Sequence, residues 1–434
     1  MDFYNVINND YKTIIKSNFI TPIIKIELLD DNENAYDELI NEISAEQIGS
    51  INESYQQGVR KTINFNIFDP LGKFLPNPDN KFFWIRRKFK IYIGVQAIRY
   101  TLKDNLLVYS YFENDLINYL QQEGYNISIG NEDSLICKEY DNYWFSKGVF
   151  LITDISATKN ESGNIVTING VDKFGLFGSE TGYNESVGTL VIPKGMQIGT
   201  IITTILNQDI GNKKILDPIT PIIDPELISQ SIPFEISKAP GSFLSDLLIE
   251  LASTFKADIF YDNDGRLNLW TTMMGENFKN SPISWDFYNN DSFYISSTIN
   301  FNLVETINQI FVIGDNPNAK IPPTAIVQNN NLSSPLCVQN IGIKSKYVEN
   351  SNIQTAIEAE DYGKYLLKNY SVQNNNINFE ICFLPHLKVD EIFSLTDNFY
   401  KFYKENFVIS SLTFPLGVGT MQISGSNIKE LPEL

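Results

Sequence analysis

The chain has 434 residues, 43% of them hydrophobic, and a formal net charge of −19, so it can form several folded cores and is strongly acidic. This charge excludes a general role in binding nucleic acid, because phosphate contacts need lysine and arginine. The sequence has no apolar run long enough to cross a bilayer and no signal peptide at its N-terminus, so we expect no membrane span.

Alternating apolar residues predict the first β-rich domain, which we place at residues 1–178. Its predicted strands are INFNIF at 63–68, which ends before Pro70, FKIYI at 89–93, and a hairpin at 148–173. We expect an insertion at about 97–143 between the second strand and the hairpin. The basic run of Arg86, Arg87, Lys88 and Lys90 is interpreted as the polar face and edge of a strand.

Residues 179–300 have a different character and predict an α+β middle region. A Pro-Gly turn at 193–195 precedes a helix whose isoleucines share one side. A helix–hairpin unit is expected at about 241–271, with Ser242 as the helix N-cap and an Asp-Gly turn at 264–265.

Residues 301–434 are predicted to form a second β-rich domain with a helix at about 354–369. The strand INFEIC at 377–382 runs on to Pro385, a short strand follows at 392–395, and a hairpin at 406–429 closes the region.

The same order of segments appears in both β-rich domains. The strand 149–156 aligns with 406–413, and 165–170 aligns with 420–425, with a hairpin turn that is two residues shorter in the second copy. INFNIF and INFEIC begin identically. We therefore predict that one β-rich module was duplicated within the chain. At the end of the hairpin Asn427 replaces Asp172, and we expect Asp172 to form local hydrogen bonds only.

Residues typical of catalysis are scarce. The single histidine, His386, follows Pro385 in a predicted turn, and the chain has no G-x-S-x-G elbow, P-loop or dinucleotide-binding glycine motif. Cys137, Cys337 and Cys382 are far apart, which favours free thiols over a disulfide or zinc site. We expect no enzyme activity, no cofactor and no catalytic or metal-binding residues.

Several short motifs, taken in order, resemble those of the tail hub proteins of bacteriophages and related contractile injection machines. The matching stretches are Gly170-Val171-Asp172, Ile192-Pro193-Lys194-Gly195, Leu251-Ala252 to Ala257, Tyr261-Asp262 with Gly265 and Leu267, Asn308 to Gly314, and Pro385-His386-Leu387 to Ile392. The resemblance covers about residues 60–427. One departure is Val389-Asp390-Glu391, where the family often has Gly-Asp-x, and the insertion at 97–143 is a second.

The resemblance implies a structural virion protein at the tail tip or baseplate, assembled in the host cytoplasm. It implies two tube-like β-barrel domains per chain and a homotrimer, whose pseudo-sixfold ring joins the sixfold tail tube to a threefold central spike or fibre. The implied partners are tail tube or distal tail proteins, a central spike, tail fibre or tail lysin, and the tape measure protein. Genome DNA is expected to pass through the ring without specific binding.

Two other functions stay open at this point. The first is a baseplate protein that binds a receptor or carbohydrate through the aromatic side chains of the insertion, which are Tyr100, Tyr109, Tyr111, Phe112, Tyr119, Tyr125, Tyr140, Tyr143 and Trp144. The second is a tail-associated peptidoglycan hydrolase, which would need a catalytic domain after the second barrel. We expect no such domain between the second barrel and Leu434.

Overall fold

The computed structural model describes most of the chain. The described residues are Tyr11, Ile15, 20–39, 49–77, 79, 82–101, 107–109, 137–160, 163–178, 188–208, 215–272, 281–301, 306–316, 319–350, 352–372 and 375–427. They form 22 strands, four α-helices and a 3-10 helix. The predicted β-rich α+β fold is confirmed. None of the described helices is long and apolar enough to cross a membrane.

The N-terminal part contains eight strands and the 3-10 helix. They are β1 (Ile20–Leu29), β2 (Ala35–Leu39), β3 (Gly49–Ser54), β4 (Lys61–Phe68), β5 (Lys88–Thr101), β6 (Leu107–Tyr109), β7 (Cys137–Asn160), β8 (Gly163–Asp172) and η1 (Lys173–Phe177).

The central part follows. Its elements are β9 (Leu190–Ile192), α1 (Ile198–Leu206), β10 (Ile222–Ile223), β11 (Ile236–Lys238), α2 (Leu244–Thr254), β12 (Ala257–Tyr261), β13 (Leu267–Thr271), β14 (Ile283–Tyr288) and β15 (Tyr294–Phe301).

The C-terminal part completes the fold. It contains β16 (Gln309–Gly314), β17 (Thr324–Gln328), α3 (Val338–Ile341), β18 (Ser345–Asn350), α4 (Ala356–Val372), β19 (Asn375–Ile381), β20 (Ile392–Asp397), β21 (Phe402–Pro415) and β22 (Met421–Asn427).

Two sets of five strands share one connection pattern. In the first set, named the first module, the neighbours run β3-β4-β8-β7-β5. In the second module they run β15-β19-β22-β21-β20. Alternation explains the strands: in β4 the side chains of Ile63, Phe65 and Ile67 point inward and are buried, and the residues between them face outward. The modules differ at their margins, because β5 pairs with the β1–β2 hairpin whereas β20 pairs with β14 in parallel.

The two modules form one continuous structure. Strand β3 of the first module pairs with β21 of the second, so a single sheet of 14 strands contains both. Apolar side chains from both modules also form a common core, in which Phe65 and Phe379 take part.

A small α+β layer fills the central part. Helix α1 buries the isoleucine stripe predicted from the sequence, and helix α2 buries Leu247, Leu248 and Leu251. Helix α2 begins later than predicted: Phe243 is its N-cap, while Ser242 lies in the preceding turn and donates its N–H to the carbonyl of Ala239. The hairpin β12–β13 then packs on α2.

A second α+β layer lies between β15 and β19 in the sequence. Strands β17-β16-β18 form a separate three-stranded sheet that packs against α4 around Ile310, Val312 and Leu367. Helix α4 starts with a capping box, in which Thr355 Oγ1 accepts the N–H of Glu358 and the Glu358 carboxylate accepts the N–H of Thr355.

The domain boundaries given above stay predictions. Strand β14 and all of β15 but its last residue lie before residue 301 in the sequence, yet they hydrogen-bond to β20 and β19 of the second module. The two ends of the expected insertion continue the β5–β7 ladder as far as Thr101 and Cys137. Apart from β6, the residues between these ends lie outside the described part of the chain.

Candidate functional site

The duplicated hairpins carry the same backbone irregularity. The β7–β8 ladder has a bulge at Thr153, and the β21–β22 ladder has one at the aligned residue, Ser410. Thr153 Oγ1 donates to the carbonyl oxygen of Asn169 at 3.2 Å, and Ser410 Oγ donates to that of Ser424 at 3.1 Å. Because a bulge is a specific local device, its repetition supports the internal duplication.

The two modules also repeat a set of three aromatic rings. The rings are Phe65, Phe89 and Phe150 in the first module, and Phe379, Phe393 and Phe407 in the second. The middle ring lies 5.6 and 5.7 Å from its two neighbours in the first module. The corresponding distances in the second module are 5.0 and 5.3 Å. The repeat seen in the sequence is therefore present in the side-chain packing of the two cores.

In each module a residue with left-handed backbone conformation lies two positions before a strand, β5 in the first module and β20 in the second. Arg86 has φ 72° and Asp390 has φ 70°. Each donates its backbone N–H to the carbonyl oxygen of the residue before the bulge. Arg86 bonds to Ile152 at 2.8 Å, and Asp390 bonds to Ile409 at 3.0 Å. Left-handed backbone suits glycine best and aspartate better than most other residues. Aspartate is therefore well suited to this position of the second module, where the first module has Arg86.

The modules meet along strand β3. Its residues pair with β21 in antiparallel register, from Ser54 opposite Ser411 to Ser50 opposite Pro415. Beside this ladder Thr413 Oγ1 lies 2.9 Å from the side-chain oxygen of Asn52. The junction is thus a true sheet contact, made by backbone hydrogen bonds between copies of the same module.

A buried arginine links three parts of the fold at this junction. Arg60, which is 4% exposed, forms an ion pair with Asp390 of the second module at 2.8 Å. Its guanidinium lies 3.7 Å from the ring centroid of Phe260 in the central hairpin and 4.9 Å from that of Tyr55. Stacking and ion pairing together suit the planar guanidinium group.

Asp172 closes the first module with three backbone hydrogen bonds. Its carboxylate accepts the N–H groups of Arg60, Lys61 and Phe174 at 2.8, 2.9 and 2.9 Å. Burial raises its pKa to about 6, against the opposing effects of Lys61 and the N–H donors. The prediction that Asp172 makes local hydrogen bonds is confirmed.

The next residue fixes the first module to the central layer. The ammonium group of Lys173 is fully buried and contacts the carboxylates of Asp217 at 2.8 Å and Glu33 at 2.7 Å. Tyr261 donates its hydroxyl to the same Asp217 at 2.6 Å. The Asp-Gly turn of the hairpin packs closely beside them. A Cβ at Gly265 would lie only 2.7 Å from Val149, so the close approach requires glycine.

A second lysine is buried in the interface between the modules. Lys147 is 1% exposed and donates to the carbonyl oxygen of Leu387 at 3.0 Å. Its Nζ lies 3.6 Å from the ring centroid of Phe414. Burial lowers its pKa to about 7, with only partial compensation from Glu53.

The single histidine lies within a cluster of aromatic rings. His386 is 4% exposed, and its Nδ1 forms a hydrogen bond of 2.9 Å with the hydroxyl of Tyr11. The ring of Trp285 lies 5.2 Å away and that of Phe145 6.3 Å away. Such packing suits a structural histidine, because a catalytic one needs access to a substrate.

The two cysteines whose side chains are described are free thiols. Cys337 is buried as a free thiol, and the thiol of Cys382 donates to the carbonyl oxygen of Ser292 at 3.3 Å. The side chain of Cys137 lies outside the described part. No group of three or more His, Cys, Asp or Glu residues within the described ranges is arranged to hold a metal ion.

The basic run is used for ion pairs within the molecule. Lys88 contacts Glu33 at 2.6 Å, and Lys90 contacts Asp264 at 3.5 Å. Among the aromatic residues of the expected insertion, Tyr143 packs on Tyr11 with its centroid at 5.7 Å. Most of the others lie outside the residues whose side chains are described.

Sequence reasoning did not identify the buried charges at the junction. Lys147 occupies an inward position of a strand, and a lysine among apolar neighbours, as in FSKGVFL, was the available signal. Arg60 gave no comparable signal, because its partners are brought together only by the pairing of the two modules.

Two solved structures with the same fold are tail proteins. The tail protein from Neisseria meningitidis MC58 has a TM-score of 0.57 and 10% identity, covering 95% of this chain and 99% of its own. The 43 kDa tail protein of prophage MuSo2 from Shewanella oneidensis has a TM-score of 0.53 and 12% identity, covering 95% and 100%.

A further similar structure is the Francisella PdpA-VgrG complex in its lidded form. The TM-score is 0.51 with 10% identity, over 98% of this chain and 54% of that chain. No family model and no curated protein sequence matches this chain. Identities this low establish the fold alone. The chain has the fold of prophage tail proteins, and the resemblance drawn from its motifs is confirmed at that level.

Proposed function

We propose that this protein is a structural component of a phage-type tail, a hub whose three copies form a ring at the tail tip or baseplate. One observation carries the proposal: the chain contains two modules that agree in strand order, bulge position and ring packing. Three such chains present six equivalent modules. They can therefore match a sixfold tube on one side and a threefold spike or fibre on the other.

The proposed ring has two tube-like barrels in each chain. The second barrel takes strands from both sides of the β16–β18 layer, so the domain limits are better drawn by hydrogen bonding than by position in the sequence. The ion pair of the buried Arg60 with Asp390 and the contacts of Lys173 with carboxylates hold the parts of one chain in fixed orientation. A fixed orientation of the two modules is what a closed ring requires.

The charge suits a conduit for DNA. A net charge of −19 repels phosphate, so a channel through the ring lets the genome pass without specific binding. We propose tail tube or distal tail proteins and a central spike, fibre or lysin as the neighbours of the ring. A chain with this fold belongs to the PdpA-VgrG complex, which supports assembly of the ring with partner proteins.

The proposed role is structural and not enzymatic. His386 is enclosed by aromatic rings, and the buried Arg60 and Lys173 pair with carboxylates in contacts that stabilise the fold. Purified protein tested in zymograms against peptidoglycan should leave the substrate intact. Clear lysis would favour a tail-associated hydrolase over the hub.

Mass measurement tests the ring itself. Native mass spectrometry of the purified chain should give a mass of three times 49.4 kDa at micromolar concentration. Negative-stain images of the same sample should show rings with a central channel. A stable monomer without rings would contradict the proposal.

A further inference from the structure

Each chain has two strand edges that are open in the described structure. Strand β15 pairs with β19 on one side and with no described strand on the other. Residues 154–158 of β7 pair with β8, but β5 pairs with β7 only up to Leu151, so their second edge has no described strand either. Open edges offer rows of unpaired N–H and C=O groups that another strand can use.

The repeat shows that these two open edges correspond to the two edges that β3 and β21 already join within the chain. Strand β3 pairs with β4, with Ile51 opposite Ile63, and β15 pairs with β19 in the same way, with Ile299 opposite the aligned Ile377. Strand β15 is therefore the second module's version of β3. By the hairpin alignment, residues 154–158 of β7 are the first module's version of residues 411–415 of β21.

In the chain itself, β3 and residues 411–415 are joined to each other. We propose that β15 of one copy of this protein joins residues 154–158 of β7 in a neighbouring copy, repeating between chains the contact that β3 and β21 make within one. The inference rests on the proposed ring and adds the surface and register by which its subunits meet.

The internal junction gives the register. There Ser50 faces Pro415 and Ile51 faces Phe414, so Thr298 faces Thr158 and Ile299 faces Ala157 of the neighbouring chain. Continuing the antiparallel ladder, Asn300 faces Ser156 and Phe301 faces Ile155.

The hydrogen bonding is also specified. At the internal junction Leu416 donates its N–H to the carbonyl oxygen of Gly49, and Pro415, which has no N–H, needs no partner there. Alternation along the strand makes the pairs of Ile299 with Ala157 and of Phe301 with Ile155 the hydrogen-bonded ones. They supply about four backbone hydrogen bonds for each contact between chains.

The open stretches fit this use. Thr298, Ala157 and Thr158 are exposed or half-buried, as an edge awaiting a partner must be. On β15 the stretch starts after Ser297, whose carbonyl oxygen accepts the hydroxyl of Tyr400 at 3.1 Å. The contact joins different surfaces on the two chains, so it repeats head to tail and closes into a ring when the rotation allows.

Disulfide trapping tests the register. Thr158 and Thr298 form a pair without mutual hydrogen bonds, whose Cα atoms lie about 4.5 Å apart, within the range for a disulfide. The double variant Thr158→Cys/Thr298→Cys should form covalent species of up to three chains under mild oxidation, reversed by reductant. The matched control Thr158→Cys/Ser296→Cys places the second thiol one diagonal step away, about 7–8 Å, and should stay unlinked.

The outcomes separate the inference from the proposed function. Trimers that form by mass but link in neither variant, or link only in the control, would overturn the strand contact and leave the ring intact. A chain that is monomeric by mass would overturn both. The single variants Thr158→Cys and Thr298→Cys show any linkage through the natural cysteines.

A second variant tests the same contact without thiols. Ala157→Pro removes an N–H that points to the open edge, so the isolated fold should tolerate it while the neighbouring strand cannot pair. The proportion of trimer should fall at least tenfold relative to Ala157→Val at the same concentration. Equal trimer content in the two folded variants would contradict the contact.

Discussion

Removing the carboxylate of Asp172 should destabilise the protein strongly. In Asp172→Ala three buried N–H groups, of Arg60, Lys61 and Phe174, lose their acceptor. A buried donor left without a partner costs about 1–3 kcal/mol, so the three together cost at least about 3 kcal/mol. At roughly 2–4 °C per kcal/mol for a domain of this size, the melting temperature should fall by about 6–12 °C.

The assay is differential scanning calorimetry of wild type and variants at pH 7. Asp361→Ala is the matched control, because Asp361 is an exposed aspartate of helix α4, and its loss should change the stability by no more than about 0.5 kcal/mol. Asp172→Asn retains an acceptor oxygen and should fall between Asp172→Ala and wild type. If Asp172→Ala melts within one degree of wild type, the three-donor account is wrong.

The pH dependence of the stability tests the direction of the pKa shift of Asp172. Burial raises the pKa of Asp172 in the folded protein to about 6, above its unfolded value, so the protonated group favours folding. Its contribution is greatest at acid pH and is lost as the pH rises through about 6. The penalty of Asp172→Ala should therefore be larger at pH 5 than at pH 7, by about 1 kcal/mol.

Three other substitutions test the junction and the repeat. Burial lowers the pKa of Lys147 in the folded protein to about 7, so the neutral amine favours folding. Between pH 7 and pH 9 the free energy of unfolding of wild type should therefore rise by about 2 kcal/mol relative to that of Lys147→Met, as measured by urea titration. Parallel pH profiles of the two proteins would contradict this. Arg60→Met removes the buried partner of an ion pair and should cost about 3 kcal/mol in calorimetry, whereas Lys364→Met, which removes an exposed pair, should leave the melting temperature unchanged. Phe150→Ala and Phe407→Ala, at aligned buried positions, should each cost about 3–5 kcal/mol in the same assay, and a small cost at only one site would argue against equivalent cores.

The sequence predicted the elements whose patterns are local. Strands β4 and β19 alternate strictly, and the isoleucine stripe of α1 and the leucine stripe of α2 have helical spacing. The repeat was visible because both copies of the strand keep the same polar and apolar order around Thr153 and Ser410. Periodicity of this kind is set by the backbone geometry of each element, so it needs no knowledge of neighbours.

What the sequence did not reveal depends on partners far along the chain. Strand β3 reads GSINES, with Ile51 as its single large apolar residue, and its role as the joint between modules appears only when it pairs with β21. Strands β14 and β15 precede the β16–β18 layer, and only hydrogen bonding assigns them to the second module. The buried charges of Lys147 and Lys173 likewise depend on tertiary partners that no local pattern encodes.

The central claim is that one chain supplies two equivalent units of a ring. Cryo-electron microscopy of the purified protein, averaged with threefold symmetry, tests it most directly. The account predicts six barrel-like densities around one channel, two from each chain, with continuous sheet between β15 and the β7 strand of the next chain. A ring in which only one module of each chain surrounds the channel, or particles without a ring, would contradict it.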